Sequence, residues 1–505
     1  MKRFIGVLTH LPVLLLCMDF NIAQSQNFVQ NALLFSSTLP GGSARIQGLG
    51  GAQIALGGDF SLAYSNPAGL GMYNRSEFAI SAAVNTNQLG TTYFNNADNQ
   101  SLSKFNIPSL SLVLHTPKNT SGFIGGTFGI SLTRTNDFNG SMQYGGENPN
   151  TSIIDYFIDQ ANGRTTSQFD EGQSNFNTPT GLAYYNYLIG PKNILDPPGP
   201  NNQYFTDVAG IALQRESITT KGATNQWSIS YGGNYNDKIF FGAGVGIATL
   251  RYESSTTYSE VFEQDVLFDL KLDEGVSIEG TGFNATLGVT LRPANALQLG
   301  ASLTTPTYYQ LTSVYNAEMY TRWDSFDYYA DGSVILTNEF ATTDEGGVFT
   351  DYSLTTPLKF STGAAFFLKN GFITADVEFT SPAKAKYGSG SGGFSFSDEN
   401  AVIETAYQSV VNFRLGGEYR YKIFRFRAGY GLLGNPYQNE NITHSNKYWS
   451  TGIGLRKKGF FADAAFVSRT AESFYFPYIF SNGYADPVTV KAKFNTIMIT
   501  AGFSF

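Results

Sequence analysis

The sequence predicts an all-β protein: a 14-stranded antiparallel transmembrane β-barrel with an N-terminal segment packed in its lumen. Three observations predict it. Charged residues are only 14% of the 505 residues, against about 25% in soluble proteins. Aromatic residues are 15% and glycines number 54, yet the mean hydropathy is slightly polar at -0.15. From Glu77 onward, apolar residues alternate with small polar ones, which is the pattern of strands with one lipid face and one wet face.

The N-terminus reads as a secretion signal spanning residues 1–25. Lys2 and Arg3 supply the positive end, Leu11 to Met18 the apolar run, and Ala23-Gln24-Ser25 the small residues of a cleavage site, so the mature chain is expected to begin near Gln26. The run is too short for a membrane anchor, which takes ~20 apolar residues. Cys17 suggests a lipoprotein, but Leu14-Leu15-Leu16 precede it where small residues are wanted. The mature chain then has no cysteine, which excludes disulfides and thiolate chemistry. No other stretch resembles a transmembrane helix, so residence in a membrane demands a closed barrel.

Residues 26–76 have a different character. Ser43–Tyr73 is rich in Gly and Ala and contains Asn66-Pro67-Ala68. Small residues let backbone pack on backbone. Pro67 holds its own φ and biases Asn66 toward an extended shape, which makes a rigid corner. A flexible periplasmic tail is the alternative, but it would leave Ile46, Leu49, Ile54, Leu56, Phe60 and Leu62 in water. A fourteen-stranded barrel lies between side-chain-filled barrels and open porins, and its lumen has room for a few dozen residues.

Residues 77–505 form the barrel. Reading back from the C-terminus, Phe505, Phe503, Ala501, Ile499 and Ile497 share one face of the last strand. Tight turns join six hairpins: Lys457-Lys458-Gly459, Tyr421-Lys422, Asn370-Gly371, Arg292–Asn295, Asn236–Lys238 and Lys118–Ser121. With the first and last strands this gives fourteen, an even number as bacterial barrels require. Seven long connections alternate with the short turns: residues 86–107, 136–225, 253–282, 305–357, 381–409, 434–447 and 470–494. A short helix is expected at Ile153–Ala161 within the longest. Long outer loops and short periplasmic turns are the usual asymmetry, and they place the mature N-terminus in the periplasm. The predicted lipid faces, such as Leu297, Leu299, Ala301 and Leu303, carry no charge. The opposite faces carry Lys359, Asp376, Glu378, Arg414, Glu418, Arg425, Arg427 and Arg456. Arg414, Arg425 and Arg427 lie near Glu418 and are expected to pair with one another or with the lumenal segment, because unpaired charges in a partly dry lumen are costly.

Several functions are disfavoured. The net charge of -8 and the lack of a basic stripe argue against nucleic acid. His115 and His444 are expected on opposite sides of the membrane, so no His-based triad or metal cluster forms around both. Gly48, Gly50 and Gly51 do not make a nucleotide-binding loop. Asp376 and Glu378 share one face, which reads as a solvated lumen rather than a catalytic dyad. Neither an enzyme nor a bound cofactor or metal is expected.

The small-residue stretch with Asn66-Pro67-Ala68, together with Arg292–Tyr309 and Leu132–Asn139, resembles the FadL/TodX family of outer-membrane transporters, in a Bacteroidota-type form. That resemblance implies fourteen strands, a hatch over residues 26–76, a monomer, and passive transport of hydrophobic compounds such as long-chain fatty acids. It implies an inward kink in the third strand, next to the hatch, that opens the wall. The third strand holds Gly122, Gly125, Gly126 and Gly129, so Gly125 and Gly126 are expected at the kink and the Asn66–Ala68 corner close by. A plainer reading is that these glycines relieve crowding against the hatch. A side exit suits apolar cargo, whose favoured destination is the bilayer at about 0.8 kcal/mol per buried CH₂ group. A terminal strand ending in Phe505 resembles the signal read by the barrel assembly machinery. Some Bacteroidota relatives look like scaffolds for type IX protein secretion, which is the alternative role. A general porin is disfavoured by the hatch, and an energised receptor by the strand count.

Overall fold

The computed structural model describes residues 22–505 except positions 119, 121, 174, 194–196, 391–394, 440–445 and 482, with side chains from Phe28 onward. Residues 1–21 of the expected signal peptide and His444 lie outside these descriptions, and the expected cleavage site at Ala23-Gln24-Ser25 falls within the helix Ile22–Ser36.

Fourteen strands close into one antiparallel barrel. They are β1 (Glu77–Tyr93), β2 (Asn96–Pro117), β3 (Phe123–Asp137), β4 (Ala212–Tyr235), β5 (Ile239–Phe262), β6 (Leu267–Ala294) and β7 (Leu297–Thr304). The second half comprises β8 (Lys359–Leu368), β9 (Gly371–Thr380), β10 (Val410–Tyr421), β11 (Phe424–Leu433), β12 (Asn446–Lys457), β13 (Phe460–Tyr475) and β14 (Val488–Ser504). Each pairs with its neighbours in chain order, and β14 closes on β1 from Glu77↔Ser504 to Thr92↔Thr489. The short turns fall within a residue or two of their predicted places. At one of them Asn236 and Asp237 both take positive φ, at 55° and 54°, as a two-residue hairpin turn requires.

The predicted facing holds. Leu299, Phe283, Phe366, Ile373, Trp449 and Phe503 point outward and are exposed, whereas Ser302, Asp376, Arg414 and Arg427 are buried on the inner face. On β4, β5 and β6 the outward apolar residues end together at the paired row Trp227–Ile247–Phe283. The next outward row is Asn225, Thr249 and Thr281. The belt on β5, Ile239 to Ile247, has the length that crosses a bilayer, roughly 9–11 residues.

Much of what the sequence assigns to outer loops is strand instead. The β1–β2 and β5–β6 hairpins run on beyond the membrane to tight turns after Tyr93 and Phe262, so residues 86–107 and 253–282 are wall. Beyond β7 the chain resumes as Tyr308–Asp327, after a break at Pro306, and pairs with the outer half of β6. Val348–Thr355 likewise precedes β8 across Pro357 and pairs with Tyr308–Tyr315. The sequence conceals these extensions because their polarity is inverted. Outside the membrane the outward face is polar, and the inward face carries Leu250, Tyr258, Leu270, Leu272 and Leu311, which pack on enclosed helices.

Those helices are α1 (Ile22–Ser36), α4 (Ile153–Ala161), α5 (Pro179–Tyr185) and α6 (Ser397–Ala406), with α2 (Ala44–Gly48) and α3 (Leu62–Ser65) deeper in the lumen. The helix predicted at Ile153–Ala161 forms over that range, with Ser152 and Asp155 making a capping box. The mature N-terminal region is not on the periplasmic side. Phe28 packs among Tyr352, Tyr387 and Phe396 of the outer cap, and the hydroxyls of Tyr387 and Tyr407 donate to the Phe28 and Val29 carbonyls. The chain then descends through the barrel to Tyr73 and enters β1 from below. Burial of Phe28, Val29, Ala32 and Phe35 gives α1 an apolar face that the cap satisfies and the periplasm would not.

Candidate functional site: the lumen beside the third strand

The N-terminal segment is fitted to the wall by glycines on the strands. A Cβ at Gly288 would stand 1.9 Å from Asn66 Oδ1, and one at Gly242 would stand 2.3 Å from the Pro67 carbonyl carbon. At Gly429 it would stand 2.1 Å from the Gly50 nitrogen, and at Gly300 2.1 Å from the Ile54 oxygen. These rows of wall glycines are the complement of the small residues in Ser43–Tyr73. Asn66 caps the 3-10 helix Pro67–Met72 by accepting from the Ala68 N–H at 3.3 Å, and its amide donates to the Ile54 carbonyl at 2.6 Å. The Asn66–Ala68 corner thus lies against β4, β5 and β6.

Polar groups fasten the segment further. Asp376 Oδ2 accepts from the N–H groups of Gln53 and Ile54 at 2.6 and 2.9 Å. Tyr448 donates to the Gly50 carbonyl at 2.9 Å, and Thr500 accepts from the Ala44 N–H at 2.7 Å. A chain of charges runs from the segment into the wall. Arg45 lies 3.6 Å from Asp59 and 3.9 Å from Glu418. Arg427 bridges Glu418 at 2.8 Å and Asp463 at 2.7 Å, and Arg456 meets Asp463 at 2.8 Å. The Arg427 side chain is fully buried, and burial on that scale is tolerable only because both carboxylates meet it.

The expected pairing is therefore partly redistributed. Arg414 pairs with Glu378 at 3.1 Å, and Arg427 with Glu418. Arg425 does not reach Glu418. It lies beside the Lys422 turn and donates to the Lys422 and Phe424 carbonyls, while Arg420 takes the Glu418 contact at 2.8 Å. Asp463 and Arg45 were missed. Both were legible as charges on a lumenal face, but their partners lie on strands far apart in sequence.

The third strand also departs from expectation. Gly125 and Gly126 lie in unbroken ladders, opposite Pro117 and Thr116 of β2 and opposite Asn234 and Gly233 of β4. They give room to neighbours, since a Cβ on Gly126 would stand 1.9 Å from the Tyr231 hydroxyl and one on Gly129 3.2 Å from Leu70. The irregular points of β3 are Ile124 and Thr135. At Thr135 the carbonyl turns from the ladder and accepts from the Leu39 N–H at 3.0 Å, and Asn136 donates to the Leu34 and Ser37 carbonyls at 3.1 and 3.2 Å. The β2–β3 ladder ends nearby, at Ser109↔Thr133, and β2 continues outward paired only with β1. The two strands part at this height.

Inside the parting lies a pocket of about 130 Å³. Leu39, Ala83, Pro108, Val467, Phe494 and Met498 give it an apolar lining. Two polar groups face it without partners. Asn106 is 8% exposed, and neither of its amide atoms makes a hydrogen bond. Arg469 makes neither an ion pair nor a hydrogen bond among the described residues, and its guanidinium stacks 4.1 Å from the Phe494 ring. A second cavity, about 70 Å³, adjoins it across Leu39, Pro40 and Thr135 and is lined more by polar groups, among them Lys359, Glu378 and Arg414.

A closed barrel with an apolar belt, its lumen filled by the N-terminal segment, defines an outer-membrane-type transmembrane β-barrel. Its fold is that of the FadL-type transporters. A FadL homologue of Pseudomonas aeruginosa aligns with 93% of this chain and 99% of its own, at TM-score 0.55 and 14% identity. The toluene transporter TodX of Pseudomonas putida aligns with 92% of this chain and 98% of its own, at TM-score 0.51 and 12% identity. Neither a family model nor a curated protein matches the sequence.

Proposed function

We propose that the protein carries hydrophobic acids, long-chain fatty acids or similar compounds, passively across the outer membrane and releases them sideways between β2 and β3. Residues 26–76 act as the hatch of this route. The observation that carries the reading is Arg469, an unpartnered guanidinium facing an apolar pocket at the point where the wall parts. An acyl chain gains about 0.8 kcal/mol per buried CH₂ in such a pocket, and a carboxylate supplies the charge-assisted hydrogen bonds that Arg469 lacks. TodX is a toluene transporter, and toluene has no charge. The unpaired cation is the reason to favour an acid here. The parting of β2 from β3 lets the chain end slip toward the bilayer without crossing the water of the periplasm.

The test is uptake of radiolabelled dodecanoate and dodecane into vesicles holding the purified protein. Arg469→Leu should cut dodecanoate uptake by about tenfold, the loss of one charge-assisted contact, and spare dodecane. Equal uptake of dodecanoate by variant and parent overturns the acid. If neither compound crosses, and a protein partner but no small hydrophobe co-purifies from the native membrane, the secretion-scaffold role stands instead.

A further inference from the structure

We infer that the chamber under the outer cap, beyond the membrane, is a binding site for an organic ammonium ion. The chamber has a volume of about 170 Å³ and is bounded by the outer parts of β4, β5 and β6, by α4 and by the turn after β13. Glu216 of β4 and Glu274 of β6 both line it. They sit opposite Tyr258 and Thr256 of the intervening strand β5, so they share the inner face two residues apart in height.

Each carboxylate receives one tyrosine hydroxyl. Tyr475 donates to Glu216 Oε1 at 2.9 Å, and Tyr315 to Glu274 Oε1 at 2.7 Å. The other oxygen of Glu216, a residue only 4% exposed, has no hydrogen-bond partner. Among the described residues no Lys, Arg or His lines the chamber, and none pairs with either glutamate. Burial favours the protonated form of both carboxyls, and an ammonium ion in the chamber takes the place of those protons and pairs with the carboxylates they leave, so it should bind more tightly as pH rises.

The walls say which counter-ion. Tyr156, Tyr252, Tyr315 and Tyr475 line the chamber, and aromatic rings attract organic cations. A hard metal ion wants about 6–8 oxygen ligands, whereas no group of three or more acidic, His or Cys side chains suited to a metal occurs among the described residues. The chamber is also far larger than a bare ion. A compact ammonium on an apolar body fits the two carboxylates, the rings and the volume together. Gln30 and Asn31 of α1 line the same chamber, so its occupant touches the helix from which the hatch segment descends. Among the described residues the chamber offers a carboxylate no cation, so this ligand and the acid cargo proposed for the Arg469 pocket occupy different cavities, and this inference stands independently of that reading.

The probe is benzyltrimethylammonium, with neopentylbenzene as its uncharged isostere, titrated calorimetrically into the detergent-solubilised full-length protein. Saturable binding of the cation and none of the isostere is expected. Glu216→Gln and Glu274→Gln should each weaken the cation by about tenfold or more, the worth of one desolvated charge contact, with heat-modifiable gel mobility reporting that the barrel is folded. Equal binding of cation and isostere by the unaltered protein overturns the inference without any variant. So does undiminished binding in both folded variants, or displacement of the probe by calcium at equal concentration.

Discussion

The Leu39 N–H and the Thr135 carbonyl are joined at 3.0 Å, and this bond ties the N-terminal segment to β3 where it parts from β2. Thr135 sits at the bulge of β3, just past the last residue that pairs with β2. The same two residues border both lumenal cavities. The position of the segment and the parting of the wall are therefore one structural variable.

Loosening this tie should change passage without unfolding the barrel. Asn136→Ala removes two side-chain bonds, to the Leu34 and Ser37 carbonyls. Amide hydrogen exchange at residues 34–39 should quicken, while exchange in β8 and β9 stays unchanged. Uniform quickening over the barrel would count against the coupling.

Asp376 is the corresponding fastening on the opposite wall. Asp376→Ala leaves the Gln53 and Ile54 N–H groups buried without an acceptor, at a cost of about 1–3 kcal/mol. Limited proteolysis should then cut within residues 50–58, where the unaltered protein resists.

Wall glycines should be unequal under the same substitution. Gly242→Ala forces a methyl group into the Pro67 backbone and should cost about 1–3 kcal/mol of overpacking. Gly417→Ala meets nothing nearer than the Phe372 oxygen at 3.7 Å and should assemble normally. Folding yield in detergent distinguishes them.

The lipid face gives a sharper contrast. Leu287 is 57% exposed and pairs with Ala243, midway along the apolar belt. Leu287→Arg should lower stability by about 2–4 kcal/mol, the cost of a cation near mid-bilayer, whereas Leu287→Phe should be neutral. Comparable denaturant midpoints for the two would contradict the register.

The outer cap should weaken as pH rises. Burial pushes the Glu216 carboxyl up to about 8, the Tyr144 and Tyr475 hydroxyls oppose the shift, and Glu274 adds to it. An unfolded carboxyl titrates near 4.5. Between these values the folded state holds a proton that the unfolded state releases, so stability falls from about pH 4.5 to about pH 8 and then levels. Hydrogen exchange in Ala212–Asn225 should accelerate across this range, and Glu216→Gln should flatten the response.

Alternation by itself determined the strand count, the register and the lipid face, because a charge at mid-bilayer is costly enough to leave a clear mark in the sequence. The small residues around Asn66-Pro67-Ala68 likewise announced a segment pressed against other backbone, and Gly242 and Gly288 are the surfaces it presses on. Only the tertiary structure decided the rest. Alternation assigns Arg427, Asp463 and Glu418 to one face, but their meeting depends on relative height across separate hairpins and on Arg45 arriving from a distant part of the chain. The bend in β3 lies at Thr135, where the backbone found a better partner in Leu39, and no local property of threonine marks that site. The outer strands looked like loops because their apolar side turns inward onto helices, an inversion that has meaning only once the helices are enclosed.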